Sequence, residues 1–170
     1  MTIASARVRA EAPADADAVR EVVTRAFGRT DEARLVDALR AAGKATIALV
    51  GERGGRVAGY VAFSPVTLDG APLGLGLAPL AVAPEAQRAG IGAALVRAGL
   101  DACRTARVDV VVVLGSPVYY GRFGFVAAEG RDLRSEYDVP PGVFQALELR
   151  PGTLGGRAGV VRYAEEFAGF

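Results

Sequence analysis

The sequence predicts a mixed α/β fold, and three observations carry that expectation. Half of the 170 residues are hydrophobic (51%), mean hydropathy is +0.27, and the apolar set is mostly Ala, Val and Leu, with no Trp. Valine-rich runs of strand length (Arg56–Ser64, Leu73–Ala83, Val108–Leu114) alternate with segments whose Ala, Val and Leu recur at helical spacing. Gly-rich breaks separate them, as turns between elements require. Valine strands covered by Ala/Leu helices are the layer arrangement such a composition builds. The length suits one domain spanning 1–170, and no linker, repeat or low-complexity tract divides it.

Taken in order, Val8 opens a short stretch that reads as an edge strand. Pro13-Ala14-Asp15 is a helix start with Asp15 as N-cap, and Val19, Val22, Val23, Ala26 and Phe27 follow on one face, giving a helix over 15–27. A second helix runs from Asp31 to Ala42 and stops at Gly43. Ala45–Gly51 and Arg56–Ser64 form a hairpin about Glu52-Arg53-Gly54-Gly55, and Leu68–Pro72 marks another turn. Leu73–Ala83 reads as a central strand, in which Pro79, unable to donate to a ladder, predicts a bulge or a splayed end. A helix from Gly90 to about Arg104 places Ile91, Leu95, Ala98 and Ala102 on one stripe. Val108–Leu114, a helical turn at Tyr119–Phe123, a strand from Phe125, a loop over 130–142, and strands at Val143–Leu149 and Val160–Tyr163 complete the chain.

Composition narrows the chemistry. Twenty basic residues balance nineteen acidic ones, which is not the footprint of a dedicated nucleic-acid binder. The longest apolar run, near Val108–Leu114, is too short to span a bilayer, and the start Met-Thr-Ile-Ala-Ser-Ala-Arg lacks the apolar core of a secretion signal, so a cytoplasmic protein is expected. There is no histidine and a single cysteine, Cys103. Common zinc and copper sites are therefore not expected, nor is Ser-His-Asp or Cys-His catalysis. Proton transfers fall to carboxylates, tyrosines, lysine, backbone or water.

One turn stands out. Between the apolar strand and the helix lies Gln87-Arg88-Ala89-Gly90-Ile91-Gly92-Ala93. Gly90 and Gly92 let a ligand approach the backbone, and the first amides of a helix, lacking intrahelical partners, can hold a pyrophosphate. Arg88 can add a charge-assisted contact. Alone, a Gly-x-Gly pair reads equally well as tight packing; neither a Walker A loop nor a Rossmann fingerprint is present, since Leu95 stands where the latter needs its third small residue.

This turn resembles the Arg/Gln-x-x-Gly-x-Gly/Ala signature of the GNAT superfamily of N-acetyltransferases. Leu80-Ala81-Val82-Ala83-Pro84 is similar to that superfamily's fourth strand and its exit, and Tyr119-Tyr120-Gly121-Arg122-Phe123-Gly124-Phe125 to its aromatic element after the fifth strand. The likeness spans Val8 to Leu149. Val113–Pro117 and Val161-Arg162-Tyr163 further resemble an uncharacterised bacterial branch of acetyltransferases. The resemblance implies a central mixed, mostly antiparallel sheet with a splayed parallel strand pair, flanked by helices. It implies acetyl-CoA as cosubstrate and no metal. The pantetheine would lie along Leu80, Ala81 and Val82, with the pyrophosphate at Gln87 to Ala93. Tyr120 occupies the position of the general acid that protonates the departing thiolate; packing is its other reading. Tyr119 and Ser116 join the cofactor site by position, though Ser116 reads equally as a helix cap. Arg122 meets a cofactor phosphate or is merely solvated.

No acid lies in Leu73–Ala83 to serve as base; Glu85, Glu148, Asp138 and Glu136 are remote alternatives, and a water chain would remove the need. The resemblance implies an amine acceptor on a small molecule or peptide, which Asp31, Glu32, Glu136 or Asp138 could attract, and exposed sheet edges leave room for a homodimer. A non-catalytic acyl-CoA-binding sensor or partner module is the alternative function, and a purely structural glycine turn the third.

Overall fold

The computed structural model describes residues 6–169. Strand β1 (Arg7–Ala10) and a 3-10 turn (Pro13–Asp15) lead into helices α1 (Ala16–Phe27) and α2 (Asp31–Ala41). Strands β2 (Ile47–Arg53), β3 (Arg56–Leu68) and β4 (Ala71–Val82) follow, then helix α3 (Ile91–Thr105), β5 (Val110–Leu114) and the short α4 (Pro117–Gly121). The chain finishes through β6 (Val126–Ala127), β7 (Leu133–Ser135), β8 (Phe144–Glu148) and β9 (Gly159–Arg162). The first five residues, on which the leader reading rests, lie outside the described residues. Among the described residues no helix is long and apolar enough to cross a membrane.

The strands form one mixed sheet in the order β1-β2-β3-β4-β5-β8-β6, with β9 pairing the end of β3 and β7 pairing β9. Pairing is antiparallel except for β4–β5 and β7–β9. The hairpins follow from residues that accept positive φ: Gly54 and Gly55 (+60° and +76°) join β2 to β3, and Asp69 and Gly70 (+49° and +86°) join β3 to β4. Asp69 also receives the Val160 N–H at 3.1 Å, which pins β9 to that corner.

The β4–β5 ladder holds only Leu75↔Val111 and Gly76↔Val112, after which the strands part. The bulge expected at Pro79 is present: Val61 pairs Leu80 while Phe63 pairs Leu77, so Ala78 and Pro79 together oppose Ala62. The fork between β4 and β5 opens beside it.

Helix α3 covers one face of the sheet. Its buried stripe is Ile91, Leu95, Val96, Gly99, Leu100 and Cys103, against Val61, Phe63, Leu75, Leu77, Val111 and Val113. Ala98 and Ala102, expected on that stripe, only flank it, because Gly99 is where the helix meets the Phe63 ring. On the other face Val19, Val23 and Val36 of α1 and α2 pack on Val50, Tyr60, Ala62 and Ala81. Farther along that face Leu39, Val110, Val112, Phe144, Tyr163 and Phe167 cluster.

Three local expectations are corrected. Asp15 does not cap α1: its carboxylate takes both Arg9 guanidinium nitrogens (2.7 and 2.9 Å) and the Ala12 N–H (2.7 Å) instead. The stretch 130–142 is not all loop, since β7 forms within it; three residues are too few to show alternation, and its partner β9 lies far along the chain. The helical turn begins at Pro117, two residues before Tyr119, because Ser116 caps it.

Candidate active site

The chain leaves β4 through a 3-10 turn (Pro84–Ala86), an extended Gln87, Arg88 at φ +64° and Gly90 at φ +84°, then enters α3. These left-handed units keep the loop amides out of any internal ladder. The backbone N–H groups of residues 88–93 find no acceptor among the described residues; the first bond of the helix runs from Ala94 N to Gly90 O. No side chain caps the helix at Gly90. Six consecutive free donors at the positive end of a fifteen-residue helix make an anion cradle.

The cradle forms the floor of a cavity of about 580 Å³. Leu80 and Val82 of β4 line it, with Gln87 and Arg88, the helix start Gly90, Ile91, Gly92 and Ala93, and Tyr119 with Arg122. Ala89, Ser116 and Ala81 do not. Ala89 contributes only its amide, and its side chain is exposed on the loop. The Ser116 hydroxyl accepts the Tyr119 N–H at 3.3 Å, so it caps α4.

Ala81 is turned away by the β3 pairing. Ala83 N–H bonds Ala58 O, and in the same register Ala81 pairs Tyr60, so every second residue of β4 spends its backbone on β3. Leu80 and Val82 fall between and point their N–H and C=O groups toward the open fork. Val82 O is within reach of the Gln87 side-chain amide, 3.2 Å away, as that orientation requires.

Tyr119 reaches across the cradle. A Cβ at Gly92 would stand 2.9 Å from the Tyr119 hydroxyl, so glycine there leaves the phenol its place. The Arg122 guanidinium lies over the Tyr119 ring, 4.6 Å from its centroid, and Arg122 Nε donates to Tyr119 O at 3.3 Å. Arg122 thus lines the cavity, stacked on Tyr119, while staying exposed. The available signal was an aromatic residue three positions ahead of it on a short helix.

Tyr120, in α4, lies against Gly115 just past β5. Its ring packs between Tyr119 (4.9 Å), Phe125 (5.8 Å) and Gly115, where a Cβ would come within 2.5 Å of it. The ring is therefore fixed and the residue is 9% exposed. Its hydroxyl has no partner among the described residues and is not sealed off, unlike those of Tyr60 and Tyr163. Burial pushes the phenol up to about 12, so it stays protonated at neutral pH.

Two of the acids considered as base are engaged in ion pairs. Glu85 holds Arg25 through both oxygens (2.6 and 2.9 Å), which lowers its pKa. Glu148 pairs with Arg131 at 2.8 Å; Glu32, considered for attracting the amine, pairs with Arg29. A second cleft of about 700 Å³ runs between α1 and the β2–β3 turn. Its Arg9 and Arg25 are tied to Asp15, Glu52 and Glu85, whereas the smaller cavity carries the run of free amides. Cys103 is fully buried with its thiol pushed up to about 12, which leaves it a packing residue.

A splayed parallel pair, a run of free amides at the following helix and an unpartnered tyrosine on the next short helix make a site suited to a phosphate-bearing ligand that reaches the fork. Residues 7–128 match the family described as acetyltransferase (GNAT) domain. The chain is 40% identical over 165 residues to the uncharacterised N-acetyltransferase YhbS of Escherichia coli, covering 96% of this chain and 99% of that one. It is 37% identical over 153 residues to the uncharacterised N-acetyltransferase YjhQ of the same organism, covering 84% of each. Among solved structures, E. coli YhbS in complex with CoA superimposes with a TM-score of 0.93 at 39% identity, over 98% of this chain and 93% of that one. A GNAT acetyltransferase from Brucella melitensis in complex with acetyl-CoA gives 0.81 at 38% identity, over 96% and 98%. The chain belongs to the GNAT acetyltransferase family and is an acyltransferase of that family.

Proposed function

We propose that this protein transfers the acetyl group of acetyl-CoA to a primary amine by direct attack. The observation that carries this reading is the six-amide cradle placed beside the free edge of Leu80 and Val82, which leads to the fork. The cradle takes the pyrophosphate with Arg88 and Arg122 at its sides, and the β4 edge pairs with the pantetheine amides. The complexes of the two relatives with CoA and acetyl-CoA support the assignment.

At the fork the amine nitrogen adds its lone pair to the thioester carbonyl, and the C–S bond breaks as the C–N bond is completed. The sulfur leaves with the electron pair and receives the Tyr120 proton; the proton released from nitrogen passes to water, and the phenolate is reprotonated from solvent. A phenol held near 12 gives its proton only as charge gathers on sulfur, so its first contribution is a hydrogen bond to the leaving group. Holding both reactants at the fork supplies the larger share of the acceleration.

Thiol release from acetyl-CoA over an amine panel tests the reading. Tyr120→Phe keeps the packing and is expected to lower kcat by roughly 10²-fold or more, with acetyl-CoA affinity unchanged. Unaltered kcat would remove Tyr120 from the acid role. Tight cofactor binding without turnover of any amine would leave a binding module instead.

A further inference from the structure

Gln145 of β8 is a polar side chain in an apolar setting. It stands opposite Val113 of β5, so it shares the α3-facing side of the sheet with Val111, Val113 and Leu147. The residue is 1% exposed, and a buried amide is tolerated only where its polar atoms find partners. Its Nε2 donates to Gly115 O at 3.1 Å and reaches Val143 O at 3.4 Å.

The local backbone explains why that donor is needed. The β5–β8 register brings Gly115 opposite Val143, and its N–H bonds Val143 O at 3.0 Å. In a regular antiparallel rung the Val143 N–H would return the bond to Gly115 O. It bonds Pro140 O instead, at 3.3 Å, because the chain turns there through Pro140, Pro141 and Gly142 (φ +83°). The Gln145 side chain supplies the missing donor, so Gly115 is held at both its N–H and its C=O.

Gly115 is the seat of Tyr120. A Cβ there would lie 2.5 Å from the Tyr120 ring, so the ring rests on the bare α-carbon, and the next residue, Ser116, caps α4. The Tyr120 N–H bonds Ser116 O at 3.0 Å, so the bend at 115–116 also carries the Tyr120 backbone. The ring also meets Phe125, and two residues farther on Ala127 of β6 pairs with Gln145 itself. Gln145 thus engages, through its side chain and its backbone, both chain segments that pack against the phenol ring.

We propose that Gln145 is a positioning residue for the transfer: by holding the Gly115 carbonyl it fixes the surface under the Tyr120 ring and so sets where the hydroxyl stands at the fork. The proposal rests on the acid role given to Tyr120 above. An apolar side chain would fill the same space, as Val113 and Leu147 do beside it, but would leave the Gly115 carbonyl unpaired and the bend free to shift. Misplacing a reacting group by about 1 Å can cost about 10²-fold in rate, so one buried amide is enough to matter.

The test is a double-mutant cycle of Gln145→Met, which keeps the length without the donor, and Tyr120→Phe. Thiol release from acetyl-CoA is read with n-butylamine as acceptor and with water alone. Gln145→Met should lower kcat about tenfold with the acetyl-CoA KM unchanged, and should lower it no further once Tyr120 is replaced. Tm should fall by about 2–6 °C in both backgrounds alike, which separates the lost bond from the lost aim. If Gln145→Met does not fold, Gln145→Asn, whose amide stops one methylene short of Gly115 O, is read in the same cycle. An unchanged kcat, an equal loss in both backgrounds, or failure of both variants to fold overturns the positioning role and leaves the acid role standing. Unaltered kcat in Tyr120→Phe alone overturns the acid role, and the positioning role with it.

Discussion

The contact between Gly99 and Phe63 fixes how closely α3 lies on the sheet, and Gly99→Ala perturbs that contact alone. A Cβ at position 99 would stand within 2.5 Å of Phe63 Cζ, where ordinary contact needs about 3.5–4.0 Å, so something must yield by about 1 Å. Phe63 is fully buried and has nowhere to turn, so the helix must lift. Overpacking of this kind costs about 2–3 kcal/mol at such a separation, and the helix propensity of alanine over glycine returns about 1 kcal/mol. The net loss of about 1–2 kcal/mol corresponds to a Tm drop of about 2–8 °C for a chain of this size. Acetyl-CoA affinity should fall with it, because three of the six cradle amides (Ile91, Gly92 and Ala93) belong to the first turn of the displaced helix. In a Phe63→Leu background the ring is gone and only the propensity gain remains, so the same substitution should there raise Tm. Thermal unfolding of the four proteins, with calorimetric titration of acetyl-CoA, reads the cycle. A Gly99→Ala change that raises Tm equally in both backgrounds would refute the argument.

Two further outcomes are expected. Arg88→Gly relieves a left-handed backbone, so ligand-free stability should hold or rise by up to about 1 kcal/mol, while loss of a charged contact should weaken acetyl-CoA binding about 10- to 100-fold by titration. Asp15 is held at about 2 by its Arg9 and Ala12 hydrogen bonds, so it contributes stability that is full above about pH 4 and is lost as pH falls through 2; Asp15→Asn should be the less stable protein at pH 7 and should converge with the parent near pH 2 in denaturant titrations.

The turn with its free amides was legible in the sequence because Gly90 and Gly92 are visible as letters; alone they read equally well as tight packing, and the resemblance of Gln87–Ala93 to the family signature singled them out. Tyr120 stood out only through the resemblance of Tyr119–Phe125 to the family's aromatic element. What the letters do not carry is the direction of each backbone group. Leu80, Ala81 and Val82 look alike as a run, yet the register with β3, shifted by the Ala78–Pro79 bulge, turns Ala81 away and leaves its neighbours free. The setting of Gln145 was equally hidden, since Gly115 and Val143 meet its amide only after the sheet has formed. Arg122 read as ambiguous because its role depends on stacking, which composition does not express.

The six amides of the cradle have a consequence for how the protein would behave in a working mixture. With the pyrophosphate seated on them as proposed, they would lie at the end of the cofactor that acetyl transfer never alters, some way from the fork. Binding energy spent there is the same before and after reaction, so it favours neither donor nor product. Spent CoA would therefore compete with acetyl-CoA on nearly equal footing, and turnover would follow the ratio of the two rather than the amount of either. Such an enzyme slows when its donor pool is mostly discharged, without any second site to sense it.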